Sequence, residues 1–173
     1  QWKNRDAVFS PRYPGSADGK PAAIIGSGRS YIAVEIATGN PLWSLDWRTS
    51  YGVNAADPIV HDGQVFISSG YEKGCALVKL GSNPPPVVWT SKAMRNQMSP
   101  SILVGGHLYG IDGNESKNAV LKCIDWATGA EKWTYPPSGC GTVAAAGGQL
   151  IVLGEKGELS IGKATPEGFA PVS

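Results

Sequence analysis

The chain has 173 residues, including 23 glycines and 13 prolines, and its 15 basic residues nearly balance 14 acidic ones. That length allows one domain with a substantial core, and the balanced charge creates no global field for nucleic acid or an anionic membrane. No apolar run approaches the 18 residues of a membrane-spanning helix. The many glycines and prolines are typical of short strands joined by tight turns.

Four segments of similar length follow one another along the chain, at approximately 7–50, 53–92, 96–137 and 139–173. Each segment opens with a short apolar stretch, and in the first segment this stretch is Val8-Phe9. A turn dipeptide follows each stretch: Asp18-Gly19, Asp62-Gly63, Gly105-Gly106 and Gly147-Gly148. Asp-Gly and Gly-Gly between apolar runs are strong hairpin signals. The last three turns lie 43 and 42 residues apart, so residues 1–173 are predicted to form one domain of four repeats.

Each segment continues with further short apolar stretches. Second strands are predicted at 22–26, 64–68, 107–111 and 149–153, and third strands at 31–34, 76–78, 120–124 and 158–161. A fourth, outer strand contains Trp43, Trp89 or Trp133, with Phe169 in the last segment. No long stretch has a period of 3.6 residues, so we expect almost no helix. Four antiparallel strands in each repeat of about 45 residues predict an all-β fold, a β-propeller with about four blades in this chain.

An 11-residue phrase occurs twice in the same register, at 33–43 and 123–133. Its glycine permits a turn with positive φ, and its threonine and acid can hydrogen-bond the open backbone groups of that turn. The turn would hold the following tryptophan flat against the neighbouring blade, where a large apolar area is buried. The second segment keeps only the tryptophan. We therefore predict a structural, blade-docking role for Glu35, Thr38, Gly39, Trp43, Trp89, Asp125, Thr128, Gly129 and Trp133.

This phrase resembles the tryptophan-docking motif, Ala-x-Asp-x-x-Thr-Gly-x-x-x-Trp, of pyrroloquinoline-quinone (PQQ)-like β-propeller repeats. Glu35 stands for the aspartate in the first copy, Cys123 for the alanine in the second, and residues 81–86 replace the turn in the second segment. The resemblance covers the whole chain through the repeat period. It implies membership of the quinoprotein alcohol dehydrogenase-like superfamily, which includes propellers of outer-membrane assembly lipoproteins.

Propellers of this family close with seven or eight blades, so the resemblance implies that four blades form part of a larger ring. Three arrangements stay open: a segment of a longer polypeptide, a homodimer that completes the ring, and closure of the four blades alone. We favour the first, because four such blades would otherwise leave two exposed sheet faces. The resemblance also implies a bacterial protein that is periplasmic or secreted.

In a propeller, the loops from an outer strand to the next inner strand surround the mouth of the central channel. Three such loops are predicted at 48–57, 92–99 and 135–140. Their polar residues are candidates for binding a ligand: Arg48, Asn54, Asp57, Arg95, Asn96 and Ser99. The alternative is that Asn54, Asp57, Asn96 and Ser99 only satisfy backbone groups near the axis.

The sequence contains no catalytic constellation and no metal-binding spacing. Residues 112–115 carry oxygen ligands but lack the spacing of a calcium loop, and we expect a turn there. We therefore predict a non-catalytic scaffold without a cofactor that binds a protein, peptide or glycan, with no nucleic acid partner. The alternative is a dehydrogenase of alcohols or sugars that depends on PQQ and calcium, or a fragment of one. The resemblance implies a disulfide of adjacent cysteines over the quinone, and Cys75, Cys123 and Cys140 are all far apart in sequence.

Overall fold

A computed structural model of the chain describes residues 13–17, 20–137 and 139–172. Within them are 15 strands and no helix. The first sheet contains β1 (Tyr13–Ala17), β2 (Lys20–Gly26), β3 (Ser30–Glu35) and β4 (Pro41–Asp46). The second contains β5 (Ile59–His61), β6 (Gln64–Ser69), β7 (Gly74–Lys79) and β8 (Val87–Ser91). The predicted apolar opening Val8-Phe9 and the turn Asp18-Gly19 lie outside the described residues.

The other two sheets repeat this order. The third contains β9 (Ile102–Val104), β10 (His107–Asp112), β11 (Val120–Asp125) and β12 (Glu131–Pro137). The fourth contains β13 (Thr142–Ala146), β14 (Gln149–Leu153) and β15 (Leu159–Lys163). All neighbouring strands pair antiparallel and are consecutive in sequence. The sheets are therefore propeller blades, and the all-β fold predicted from the repeats is confirmed.

The fourth sheet corrects one detail of that prediction. An outer strand around Phe169 does not form within the described residues, where β15 is joined only by a single antiparallel bridge between Gly162 and Pro171. The described residues that follow β15 include Pro166 and Pro171, which have no backbone N–H. The ring of Phe169 instead covers Gly162, where a Cβ atom would lie 2.8 Å from the ring.

Successive sheets pack face to face through separate apolar clusters. Val65 faces the first sheet, and Leu108 and Leu150 take the equivalent place in the next two interfaces. Phe66 and Tyr109 project from the opposite faces toward the following sheet. All five side chains are buried. The middle strands carry apolar residues on both faces because each sheet is covered on both sides.

The two copies of the repeated phrase form matching corners between the third and fourth strands of their sheets. Gly39 and Gly129 have φ values of 76° and 70°, which favour glycine. Each glycine N–H donates to the carbonyl of the acid four residues earlier, at 2.7 and 2.9 Å. Thr38 donates to the carboxylate of Glu35 at 2.5 Å, and Thr128 donates to that of Asp125 at 2.9 Å through both its hydroxyl and its N–H. The acid and threonine thus close the turn as the sequence predicts.

The tryptophans of the fourth strands, Trp43, Trp89 and Trp133, each pack against the next sheet along the chain. Trp43 packs in the cluster between the first and second sheets. The indole N–H of Trp89 donates to the carbonyl of Trp126 at 3.0 Å. That of Trp133 donates to the carbonyl of Thr165 at 2.9 Å, and its ring stacks on Phe169 with centroids 6.3 Å apart. Each of these three tryptophans therefore contacts the sheet that follows its own.

Candidate functional site

The three predicted binding loops lie at one end of the sheets. Adjacent strands run antiparallel, so the loops that leave an outer strand share this end with the loops between second and third strands. We call this end the mouth face. Its described loops are 27–29, 47–58, 70–73, 92–101, 113–119, 139–141 and 154–158.

Two of the predicted site residues, Asn54 and Asn96, are buried and bonded within the protein. Asn54 donates to the carbonyls of Ser27 at 2.7 Å and Trp47 at 2.9 Å, and it accepts from Ser69 at 2.6 Å. Asn96 donates to the carbonyl of Ile111 at 2.9 Å and accepts from Ser101 at 2.8 Å. These bonds match the structural alternative for the two asparagines. They hold the loops on the strand ends, which gives the mouth face a rigid base.

Arg95 anchors the same loop through Asp112 at the end of β10. Its Nε and Nη2 donate to the two carboxylate oxygens at 2.9 and 2.8 Å, and its backbone N–H adds a bond of 2.7 Å. Nη1 reaches Glu72 at 2.5 Å, and Lys122 lies 3.1 Å from Asp112. Burial alone would raise the pKa of Asp112, but the bonds from Arg95 and the charge of Lys122 outweigh burial and lower it. Asp112 therefore stays ionised although only 1% of it is exposed.

The other predicted site residues lie further apart. Arg48 is exposed and pairs with Asp46 at 3.1 Å. Asp57 is half-buried, and burial raises its pKa. Ser99 donates to the hydroxyl of Thr142 at 3.0 Å, which joins the second binding loop to the start of β13. Among the described residues, no hydrogen bond or ion pair joins the predicted site residues of loop 47–58 to those of loop 92–101.

The mouth face also carries two exposed apolar side chains that the prediction did not include. Tyr51 is 74% exposed and Met98 is 77% exposed. The ring of Tyr51 packs against Tyr71, with centroids 4.7 Å apart and an interplanar angle of 59°. Tyr71 and Lys73 are half-buried, and the Lys73 ammonium lies 4.5 Å from the centroid of Trp47. The sequence signal that could have identified Tyr51 and Met98 is an apolar residue within a polar loop.

A small pocket of about 90 Å³ opens beside Met98. It is lined by Tyr71, Gln97, Met98, Ser99, Ile111, Gly113, Asn114, Cys140 and Gly141. Gln97 is buried, and neither its amide oxygen nor its amide nitrogen has a hydrogen-bond partner in the described part of the chain. Sequence reasoning missed this residue because burial of one loop glutamine leaves no local pattern.

A larger cleft of about 520 Å³ lies between the third and fourth sheets on the same face. Leu121, Tyr135, Val152 and Phe169 form its apolar part, and lysines and glutamates line its rim. Glu155 on this rim accepts from Ser116 at 2.7 Å and from the backbone N–H of Cys140 at 3.1 Å. These bonds lower its pKa.

The three cysteines form no disulfide among the described residues. Cys75 and Cys123 are buried and Cys140 is exposed, and all three are free thiols. Burial raises the pKa of Cys75 to about 12 and that of Cys123 to about 11. Within the described ranges, no three His, Cys, Asp or Glu side chains are placed to hold a metal ion. Asp112, first of the four residues considered for calcium, is engaged by Arg95 and Lys122.

A sequence model of the family described as outer membrane protein assembly factor BamB matches residues 2–135. No curated protein sequence matches the chain. Across the described residues, no helix is long and apolar enough to cross a membrane.

Several solved structures are similar to this chain. BamB from Moraxella catarrhalis has a TM-score of 0.74 and 14% identity, with 99% of this chain and 53% of that chain covered. The computationally designed Ika4 protein has a TM-score of 0.67 and 10% identity, with 94% and 100% covered. Quinohemoprotein alcohol dehydrogenase from Comamonas testosteroni has a TM-score of 0.51 and 16% identity, with 75% and 22% covered. At these identities the similarity shows the fold alone, and the chain spans about half the length of the BamB structure.

Proposed function

Because the chain belongs to the family of the outer membrane protein assembly factor BamB, we propose that it is a non-catalytic propeller scaffold that binds a polypeptide at its mouth face. The observation that carries this proposal is the exposure of Tyr51 and Met98 on two adjacent binding loops. Large apolar side chains exposed together are characteristic of interaction sites.

The surroundings of these two side chains suit an interface. Tyrosine, methionine and arginine are enriched where proteins bind one another, and the ion pair of Arg95 with Glu72 places charge between loops 92–101 and 70–73. The loops are held from below by Asn54, Asn96 and Asp112, so little order has to be gained on binding. This arrangement supports a preformed docking surface.

A polypeptide is favoured over a glycan. A sugar presents many hydroxyl groups that need hydrogen-bond partners, whereas the thioether of Met98 is only a weak acceptor. Methionine adapts its shape to apolar partners. Tyr51 and Met98 would therefore accept aliphatic or aromatic side chains better than a carbohydrate.

The proposal extends to location and assembly. The family is described by an outer membrane assembly factor, which supports a periplasmic or secreted protein. A homodimer that completes a ring stays a prediction, and the mass in solution tests it. A dimeric mass supports that arrangement, and a monomeric mass rejects it.

Site-specific photo-cross-linking tests the scaffold. A photoreactive phenylalanine analogue is placed at Tyr51 or at Met98 of the full chain in the cells that produce it. A control carries it at Ile36, which is also exposed but lies in the corner between β3 and β4, at the opposite end of the sheets. We expect a discrete polypeptide adduct at positions 51 and 98 and none at 36. Equal adducts at all three positions, or none, would contradict the proposal.

The dehydrogenase alternative is tested in the same preparation. PQQ and calcium are added to the purified chain, and quinone absorbance and dye-linked alcohol oxidation are measured. We expect neither a saturable absorbance change nor turnover. Turnover that depends on both additions would overturn the scaffold.

A further inference from the structure

The fourth sheet has an apolar face on which no described sheet packs. In the second and third sheets the equivalent face is covered by the next sheet, and Phe66 and Tyr109 on it are each 1% exposed. The equivalent residue of the fourth sheet, Ile151, is only half-buried. Beside it on the same face, the paired residues Leu153 and Leu159 are 44% and 54% exposed. We call this side of the fourth sheet the terminal face, and apolar side chains exposed together in this way are characteristic of interfaces.

The outer edge of β15 is also incomplete. The carbonyl of Glu158 accepts from the N–H of Gly154 on the side of β14, so the next residue, Leu159, directs its N–H and C=O to the outer edge. This edge is engaged at its far end, where Val172 donates to the carbonyl of Ile161 at 2.8 Å. No described residue pairs with Leu159 on this edge. Native proteins usually cover or pair such an edge.

The segment before β1 carries a tryptophan at the spacing of an outer strand. Residues 1–12 precede β1 and lie outside the described residues. Trp43, Trp89 and Trp133 lie 16, 13 and 9 positions before the next inner strand, and Trp2 lies 11 positions before β1. The first sheet already has four strands of its own. The spacing therefore assigns Trp2 to the outer strand of another sheet.

The complete sheets give the register of such a strand. In each of them, the residue two positions after the tryptophan pairs with the third-strand residue that corresponds to Leu159: Leu45 with Tyr31, Ser91 with Cys75, and Tyr135 with Leu121. In the segment before β1, the residue two positions after the tryptophan is Asn4. A strand in this register would bond the backbone of Asn4 to the N–H and C=O of Leu159.

The arrangement of the sheets makes a second copy the recipient of this strand. Among the described residues, apolar clusters join the first sheet to the second, the second to the third and the third to the fourth, and none joins the fourth to the first. The four sheets correspond to about half of the BamB chain, so they form about half of such a propeller. In a ring of two copies, the segment before β1 of each copy would lie beside the terminal face of the other.

We propose that two copies of this chain close a ring by exchanging strands, with residues 1–5 of each copy forming the missing outer strand on β15 of the other. Asn4 lies opposite Leu159 in this arrangement. Trp2 lies between the fourth sheet of one copy and the first sheet of the other, which is the place that the repeat tryptophans hold within the chain. The inference is independent of the polypeptide site on the mouth face, and it gives the homodimer a specific contact.

An intermolecular disulfide tests the exchange in the full chain. The exposed Cys140 is first changed to serine, and the buried thiols of Cys75 and Cys123 are kept. Asn4→Cys and Leu159→Cys are then made in separate preparations, which are mixed, left to exchange subunits and oxidised. Opposite residues on antiparallel strands lie within the distance that a disulfide can span. We expect most of the mixed protein to become a covalent dimer on non-reducing electrophoresis, and neither preparation alone to do so.

Two controls separate the exchange from other contacts. Val87→Cys, at a residue of β8 that is 48% exposed, replaces Leu159→Cys and should give no linked dimer with Asn4→Cys. A chain that carries both Asn4→Cys and Leu159→Cys should form linked dimers in dilute solution. An internal disulfide in a monomer would instead show that the segment pairs with its own fourth sheet, which overturns the exchange.

The mass in solution tests the terminal face independently. We expect the unmodified protein to have twice the chain mass of 18.1 kDa. Leu153→Lys with Leu159→Lys should reduce it to the single-chain mass, because an ammonium buried against an apolar sheet is costly. Val87→Lys with Val88→Lys, at residues that are 48% and 47% exposed, is the matched control and should leave the dimer intact. Thermal unfolding confirms that each variant is folded.

The outcomes separate the exchange from the proposed function. A linked dimer in the mixture, together with a monomeric lysine variant of the terminal face, supports the exchange. A monomeric unmodified protein, the absence of a linked dimer, equal linkage through Val87→Cys, or a dimer that survives the lysine changes overturns it. Cross-linking at positions 51 and 98 decides the polypeptide site whichever of these results is obtained.

Discussion

The first and third interfaces between sheets use the same tryptophan in different surroundings. Trp133 meets the fourth sheet with its N–H bonded to the carbonyl of Thr165 and its ring stacked on Phe169. Trp43 meets the second sheet with only 2% of its surface exposed, yet its N–H has no partner among the described residues. Both rings are packed on the following sheet, so apolar burial is common to the interfaces and the hydrogen bond is not.

The difference follows from the corner that each tryptophan approaches. Trp89, in the second interface, lies against the regular corner at Gly129 and bonds to the carbonyl of Trp126. The second sheet has the segment 81–86 in place of that corner, and the backbone N–H of Ser44 donates there to Oδ1 of Asn83 at 3.3 Å. At the first interface, a backbone N–H next to Trp43 therefore bonds to the following sheet, whereas the indole N–H has no partner among the described residues.

The largest expected effect is from removing an indole ring. Trp43→Ala and Trp133→Ala should each destabilise the protein by about 3–5 kcal/mol, because each leaves a cavity between two sheets. Urea unfolding measures both, and Tyr51→Ala, at an exposed ring, should change stability by less than about 0.5 kcal/mol. A Trp43→Ala loss as small as that of Tyr51→Ala would mean that the ring does not hold the sheets together.

Gly129→Ala should have the next largest effect. Its Cβ would lie 2.6 Å from the ring of Trp89, and its φ of 70° also disfavours alanine. Gly63→Ala is a matched control, because φ is 67° there and nothing lies within 4 Å of a Cβ. We expect a loss of about 1 kcal/mol at position 63 from backbone strain and about 2–3 kcal/mol at position 129 from strain and displacement of the ring. Equal losses would show that the corner and Trp89 are not in tight contact.

Exchanging the two indoles for phenyl rings isolates the hydrogen bond. Trp133→Phe leaves the carbonyl of Thr165 without its donor, whereas Trp43→Phe removes a buried donor that has no partner in the described structure. We therefore expect Trp133→Phe to cost about 1 kcal/mol more than Trp43→Phe. Chemical unfolding of both variants measures this difference, and the reverse order would contradict it.

The smallest expected effect is on the pH dependence of the third-sheet corner. Burial would raise the pKa of Asp125, but bonds from Thr128 and Lys132 outweigh it and lower the pKa. A lowered pKa in the folded state stabilises the protein above the unfolded value of about 3.9. This contribution disappears as the pH falls through the folded value. The stability difference between wild type and Asp125→Asn should therefore be greatest near pH 7 and shrink below about pH 4, and parallel curves would contradict this.

Prediction from the sequence succeeded where a local pattern specifies geometry. The turn at Gly63 places β5 and β6, and the phrase 123–133 places β11 and β12, because positive φ is readily adopted only by glycine. It failed at Phe169, which was assigned to a strand by its aromatic character. An aromatic residue specifies packing and not backbone pairing, and the segment of Phe169 reaches β15 only through the bridge between Gly162 and Pro171.

The candidate site was predicted less well than the fold. The loops were located correctly at one end of the sheets, but Asn54 and Asn96 are bonded inward, and Tyr51, Met98 and Gln97 were not singled out. Whether a polar side chain on a loop faces solvent or the protein depends on what the neighbouring blade offers it. Residues far apart in sequence, such as Gly70 and Gln97, decide this together.

The sequence by itself determined that this protein is a series of antiparallel sheets with a common repeat length, which pack on one another through tryptophans. It could do so because periodicity, turn glycines and buried indoles act within one repeat or between adjacent repeats. Only the tertiary structure decided which polar groups were left without partners, at Trp43 and Gln97. Hydrogen-bond satisfaction depends on distances of tenths of an ångström between different sheets and loops, and no spacing in the chain encodes it.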